Sequence, residues 1–396
     1  MDGPDEQVAV VLAGGGARGA YEAGALSVLL PELEKRGQRP RLVIGTSVGA
    51  LNAGFLAANA HLPPAELARR ALAVWDSIRW GEVLAPLISP SSLLRLSQYA
   101  GEVLGVPRVH VESLLDPEPL RVSLREQVDF DQLQRNIGAG VLDAAGVVAT
   151  SALTNRSVVF HSGLSSPPSD TRRGIDYVAT ALREEHVLAS AAIPAVFPAV
   201  DVTTPERARG WYFDGGTRLN TPIKPALEFG ATRVVVVALG SLAPGPAQLA
   251  GRERPDALVG AGQILSGLLE DQLRADLQTL VTINGLTGAT RVAPGHKRRV
   301  PYIVIAPRAR DTIAQAALDV LREHYSAPLQ ALRSPDIALL SRLVAGDADV
   351  QHAELVSFLL FAPEFTRALI KIGQADARRW IRQPHDLDDL WQLGPA

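Results

Sequence analysis

A chain of 396 residues, 47% hydrophobic and 20% charged, can bury one large core or two and is too apolar to be disordered. A formal charge of −3 supplies no field that would favour nucleic acid, and the absence of cysteine excludes disulfides and thiolate metal sites while leaving the redox compartment open. No apolar run reaches the roughly 18 residues of a membrane span, and the acidic start Met1-Asp2-Gly3-Pro4-Asp5-Glu6 lacks the basic and apolar regions of a secretory signal. The expectation is a cytoplasmic protein that meets membranes only peripherally.

Val8–Leu12 reads as a strand buried on both faces. Gly14-Gly15-Gly16-Ala17-Arg18-Gly19 comes next, and Tyr21–Leu33 has the small and apolar residues of a packed helix. A second buried strand, Leu42–Ile44, runs into Gly45-Thr46-Ser47-Val48-Gly49 and a helix over Val48–Ala60. This order implies parallel strands joined by a right-handed crossover, and so an α/β protein with a mainly parallel sheet. From Pro63 to Arg135 the pattern is helical, broken by Pro86, Pro90, Pro107, Pro117 and Pro119, which predicts a helical insertion. Residues 146–151 and Ser157–His161 predict two strands around the turn Thr154-Asn155, and a polar surface loop is expected over 165–170. A helix is expected over Arg183–Ala192, then the short aromatic strand Trp211–Phe213, which ends in Asp214-Gly215-Gly216. Val234–Leu239 is the clearest buried strand and Tyr302–Ala306 the last, with helix from Arg310 to Gln383.

Two glycine-bracketed turns lie directly behind the first two strands. A strand-turn-helix with the pattern Gly-x-Ser-x-Gly is the mark of a nucleophile elbow, in which a serine hydroxyl stands at the carboxyl edge of the sheet. The same pentapeptide also suits a capping serine in a plain strand-to-helix turn. Gly14-x-Gly16-x-x-Gly19 matches a dinucleotide fingerprint, but the second strand ends in Ile44-Gly45-Thr46-Ser47, with no acid to hold a ribose. The Gly-Lys-Ser/Thr of a phosphate loop is absent too. The better use of the loop is as an oxyanion hole, where consecutive N–H groups converge on a carbonyl oxygen that becomes negative. Arg18 there can add positive charge, bind a phosphate or order the loop.

A serine needs a base. The eight histidines (His61, His110, His161, His186, His296, His324, His352 and His385) sit in none of the glycine-rich post-strand loops that deliver a triad histidine. Asp214 ends a strand, and Gly215-Gly216 lets the backbone turn away from its carboxylate, which becomes a base if partly desolvated. A plain turn is the alternative for Asp-Gly-Gly.

Taken in order, Gly14-Gly15-Gly16-Ala17-Arg18-Gly19, Gly45-Thr46-Ser47-Val48-Gly49 and Asp214-Gly215-Gly216 resemble the patatin-like phospholipase family. The segment Ser190 to Pro198 resembles that family's stretch ahead of its aspartate, and Asn220-Thr221-Pro222 resembles its Asn-x-Pro beyond the aspartate. The resemblance covers residues 8–240. It implies a three-layer α/β/α sandwich and hydrolysis of lipid acyl esters by a Ser-Asp dyad, with Ser47 as nucleophile, Asp214 as general base and Gly14, Gly15 and Gly16 lining the oxyanion hole. It implies no metal or organic cofactor, and its partners are a lipid or acyl-ester substrate and a membrane touched peripherally.

The resulting division is a catalytic domain over 8–240, remaining core elements over 241–310 and a C-terminal helical region over 311–396. Within the insertion, Leu84–Leu115 carries Leu87, Ile88, Leu93, Leu94 and Leu96 and is the expected acyl-pocket wall, with Leu355–Ile372 the competitor. Two other readings stay open: an α/β-hydrolase esterase with a Ser-His-Asp triad, and a lipid-binding regulatory module without catalysis.

Overall fold

The computed structural model describes residues 7–84, 116–194, 196–243, 257–287, 299–325, 334–344, 350–387 and 390–395. Nearly all of the expected Leu84–Leu115 wall, as well as His110 and His296, lies outside these described residues.

The strands among them are β1 (Val8–Leu12), β2 (Pro40–Thr46), β3 (Ala144–Ser151), β4 (Ser157–Gly163), β5 (Ile175–Ala179), β6 (Val200–Val202), β7 (Gly210–Asp214), β8 (Arg233–Val237) and β9 (Tyr302–Ile305). They form one sheet in the order β5-β4-β3-β2-β1-β8-β9, with β7 bridging β3 and β6. The pairs β1–β2, β2–β3, β1–β8, β8–β9 and β4–β5 are parallel, while β3–β4, β3–β7 and β6–β7 are antiparallel. β1 at the centre is wholly buried at each of its five positions, as a strand covered on both faces must be.

The helices are α1 (Gly19–Lys35), α2 (Val48–Ala58), α3 (Pro64–Ser77), α4 (Trp80–Val83), α5 (Glu118–Gln127), α6 (Phe130–Gly138), α7 (Glu184–Ser190), α8 (Ile223–Glu228), α9 (Ala257–Thr287), α10 (Thr312–His324), α11 (Pro335–Val344), α12 (Val350–Ser357) and α13 (Pro363–Arg382). The architecture is the α/β fold with a mainly parallel sheet that the order of elements implied, in keeping with the family resemblance.

Four elements differ from the sequence reading. β5 carries Asp176 amid its apolar residues and β6 is only three residues long, so neither shows a continuous apolar run. α9 has small and polar residues spread through its length and offers no sharp apolar stripe. The helix expected across Leu355–Ile372 is two helices. α12 ends at Ser357, residues 358–362 join the two helices, and α13 restarts with Pro363 at its first turn, where a missing N–H costs nothing. α13 then packs along α1, where the Tyr21 hydroxyl donates to Asp376 Oδ2 at 2.9 Å.

Candidate active site

Ser47 is the single residue between β2 and α2 and adopts φ 56°, ψ −125°. That left-handed conformation costs a non-glycine residue about 1–3 kcal/mol and is the kind of sharp strand-to-helix bend on which a nucleophile elbow is built. The flanking glycines are a steric requirement. A Cβ on Gly45 would stand 2.0 Å from the Gly49 carbonyl oxygen, and one on Gly49 would stand 2.5 Å from that of Leu12. The bend is held from three sides. The Ser47 N–H donates to Ser190 Oγ at 2.9 Å, and Ser190 donates on to the Val148 carbonyl at 2.5 Å. The Thr46 hydroxyl donates to the Leu219 carbonyl at 2.9 Å. Val48 opens α2, so the helix N-terminus begins immediately behind the serine.

Asp214 reaches Ser47 by strand register. One edge of β3 pairs with β4 along residues 144–150. The other edge pairs with β2 only as far as Thr46 opposite Val148, and β7 then takes over with Asp214 opposite Ala149. Asp214 therefore sits one register position beyond the end of β2, where Ser47 turns. Its backbone N–H donates to the Ala192 carbonyl at 2.8 Å, and its Oδ1 accepts the Gly216 N–H at 2.6 Å. Gly215 is buried against the Val148 carbonyl. Burial pushes the Asp214 carboxyl up to about 7, against the opposing pull of the Ser47 hydroxyl and the Gly216 N–H. Oδ2 has no partner of hydrogen-bond geometry. The Ser47 hydroxyl lies near enough to favour the carboxylate and makes no formed hydrogen bond with Oδ2.

The glycine loop brings N–H groups to the same place. Gly14 lines the space above Ser47, but its N–H is taken by Asn220, at 3.0 Å to Oδ1 and 3.4 Å to the carbonyl. Asn220 Nδ2 returns to the Gly14 carbonyl at 3.3 Å and to that of Leu269 at 3.1 Å. Among the described residues, the N–H groups of Gly15 and Gly16 have no protein partner. Ala17 N–H donates to the Phe358 carbonyl at 2.9 Å, and Gly19 opens α1.

Arg18 is neither exposed nor aimed at a phosphate. It is 3% exposed and pairs with Glu354 Oε1 at 2.6 Å. It also donates to the Glu354 carbonyl and, from Nε and a terminal nitrogen, to Ser357 Oγ, and it stacks 3.6 Å over the Phe358 ring. Of its three sequence readings the structure selects loop ordering, performed by a buried arginine on a segment more than 330 positions away. A Cβ on Gly16 (φ 58°) would stand 2.1 Å from the Phe358 carbonyl oxygen, so the segment lies directly on the loop.

Ser47 stands between two cavities. The larger, about 350 Å³, runs from Ser47 past Leu51, Phe55, Ala71 and Val74 toward Leu124. The smaller, about 120 Å³, is bounded by Ser47, Asp214, Ile193, Leu265, Leu269 and Leu355. Phe358 and Leu359 wall both. Among the described residues no histidine lines either cavity. His186, buried beside β4, instead accepts the Arg183 N–H at 3.0 Å and lies 2.6 Å from the Thr204 carbonyl. The described residues hold no cluster of side chains suited to a metal ion, and no helix long and apolar enough to cross a membrane.

Sequence reasoning singled out the three motifs but treated Ser190 and Asn220 only as parts of flanking segments. It gave no role to Glu354 or Ser357 and named Phe358 only within the competing Leu355–Ile372 pocket wall; their partner Arg18 lies too far along the chain for any local pattern to show.

Comparison with known proteins agrees with the motifs. The family model for patatin-like phospholipase matches residues 10–227. No curated protein matches. Among solved structures, VipD from Legionella pneumophila is similar at 15% identity over 90% of this chain and 67% of its own, with a TM-score of 0.35. ExoU in its heterodimeric complex with SpcU, from the type III secretion system of Pseudomonas aeruginosa, is similar at 16% identity over 95% of this chain and 76% of its own, with a TM-score of 0.26.

Proposed function

Because the chain belongs to the patatin-like phospholipase family, we propose that it is a lipid acyl hydrolase in which Ser47 is the nucleophile, Asp214 the general base, and the N–H groups of Gly15 and Gly16 the oxyanion donors. The observation that carries this reading is the register of β3, which sets the desolvated Asp214 carboxylate beside a strained serine. Ser47 Oγ bonds to the ester carbonyl carbon while its proton passes to Asp214, and the carbonyl oxygen takes its charge against the glycine loop. When the carbon–oxygen bond to the alcohol breaks, the leaving oxygen takes the proton from Asp214. Water then enters by the same steps, gives its proton to Asp214 and releases the acid, with the proton returning to Ser47.

The C-terminal helices belong functionally with the catalytic unit in this reading, since Glu354, Ser357 and Phe358 hold the glycine loop. Peripheral contact with a lipid surface is supported by a knuckle on the catalytic edge. Leu153 is 93% exposed and Trp211 59% exposed, and the Ala152 N–H donates to the Trp211 carbonyl, so the two stand side by side.

The test is a fluorophosphonate probe with an ester panel. Wild type is expected to label at Ser47 and to hydrolyse lipid esters, whereas Ser47→Ala is expected to do neither. Labelling at another serine, or full activity in Ser47→Ala, overturns the reading.

A further inference from the structure

Asp214 lines the smaller cavity and not the larger. That asymmetry orients the substrate. On the dyad reading above, on which this inference rests, the group that receives the serine proton must return it to the departing alcohol. The alcohol oxygen must therefore leave on the Asp214 side. From this geometry we infer that the smaller cavity is the alcohol-arm subsite and the larger cavity the acyl-arm subsite, with Phe358 and Leu359 as the partition between them.

The chemistry of the smaller cavity defines the alcohol it takes. Its wall is aliphatic, from Ile193, Val196, Leu265, Leu269 and Leu355. Besides the dyad, the polar side chains among its described lining residues are Thr217 and Asn220, and the donors of both are already committed. The Thr217 hydroxyl donates to the Asp214 carbonyl at 3.0 Å, and Asn220 is used at both ends by Gly14 and Leu269. A polyol placed there would give up water and find no uncommitted side-chain donor among the described lining residues, which disfavours it. The subsite takes an alcohol whose carbons next to the ester are apolar, as in an alkyl ester, in preference to a bare glycerol arm. The volumes, about 120 against 350 Å³, make the alcohol arm the shorter of the two.

The experiment uses the full chain with two substrate series. Methyl, butyl, octyl and glyceryl octanoates vary the alcohol, and methyl esters of short to long acids vary the acyl arm. Wild type is expected to prefer butyl over glyceryl octanoate. Leu269→Phe, which fills the smaller cavity, is expected to lower the octyl-to-methyl ratio of kcat/KM about tenfold or more without changing acyl-length preference. Ala71→Phe, in the larger cavity, is expected to shorten the preferred acyl chain and leave the alcohol ratio alone. Leu269→Ala, which avoids overpacking, is expected to move the alcohol ratio in the opposite direction from Leu269→Phe. A change of acyl preference in the Leu269 variants, or a glyceryl ester favoured by wild type, overturns the assignment. Activity retained in Ser47→Ala overturns the dyad itself, whereas an inert Ser47→Ala with an unmoved alcohol ratio in the Leu269 variants overturns only the allocation of the cavities.

Discussion

The chemistry at the residue scale turns on one buried carboxyl. Asp214 has a pKa of about 7 in the folded chain against an ordinary 3.8, because burial disfavours its charge. A folded-state pKa above the unfolded one means that the folded chain holds the proton more tightly. The stabilising effect is fully present below pH 3.8 and is lost as pH rises through 7. Above that point the ionised form costs on the order of 4 kcal/mol of stability. Asp214→Asn, which is neutral and similar in shape, is therefore expected to raise Tm over wild type, with a gain that grows between pH 4 and 7 and is level beyond. Thermal melts across that range check this, and a pH-independent difference would refute it. On the proposed dyad the same ionisation frees the base, so kcat/KM in wild type is expected to rise with pH to a plateau through an apparent pKa near 7. Ser47→Ala and Asp214→Asn should each cost several orders of magnitude in turnover, and the double variant little more, because members of a cooperating pair fail together.

Between elements, the deciding contact is the one from α12 to the glycine loop. Arg18 is buried and its partner Glu354 is partly buried, so removing one of them costs a local loss of at most about 3–5 kcal/mol. The Arg18 backbone is one turn from Gly15 and Gly16, so on the proposed mechanism the local loss falls on oxyanion geometry. Arg18→Lys, which keeps the charge but cannot engage Glu354 and Ser357 together, is expected to lower kcat about ten- to a hundredfold with a smaller change in KM, as when a transition-state contact is displaced. Steady-state kinetics at a temperature well below Tm separates this from general unfolding, and a rise in KM with kcat intact would refute it. This contact also marks the limit of what the sequence discloses. β1, β2 and β8 are legible because strands covered on both faces are unbroken runs such as Val8–Leu12, and the elbow is legible because Gly45 and Gly49 have no steric alternative. Asp214 is legible as a strand end before two glycines. Which side of β3 it takes, and hence its meeting with Ser47, depends on β2 stopping at Thr46, a register that no local pattern states. The Arg18 anchor and the break at Pro363 are likewise properties of the folded chain, in which the C-terminal helices return across α1.

On the scale of the whole molecule, a hydrolase of aggregated lipid must bring its catalytic edge to the lipid. β3 runs toward that edge, and the pairing of Ser151 with Tyr212 continues to Ala152 and Trp211, three residues past Asp214. At about 3.3 Å per residue, the Leu153–Trp211 knuckle stands roughly 10 Å beyond the carboxylate in the strand direction. A tryptophan with an apolar body and a polar N–H suits the water–lipid boundary, and leucine beside it adds apolar surface with no polar atom to desolvate. Burying a leucine side chain fully is worth about 1.5–3 kcal/mol, so even partial insertion of both residues changes partitioning measurably. Both side chains are exposed and away from the cavities, which makes them removable without disturbing the dyad. The double variant Leu153→Asp, Trp211→Asp is expected to bind phosphatidylcholine vesicles containing a fifth of anionic lipid at least about tenfold more weakly than wild type. Its hydrolysis of vesicular lipid should fall in step, while turnover of a freely soluble butyrate ester is retained. Vesicle sedimentation alongside the two activity assays distinguishes the outcomes. An equal loss on soluble and vesicular substrates would mean that the knuckle supports β7, and with it Asp214, and does not meet the lipid surface.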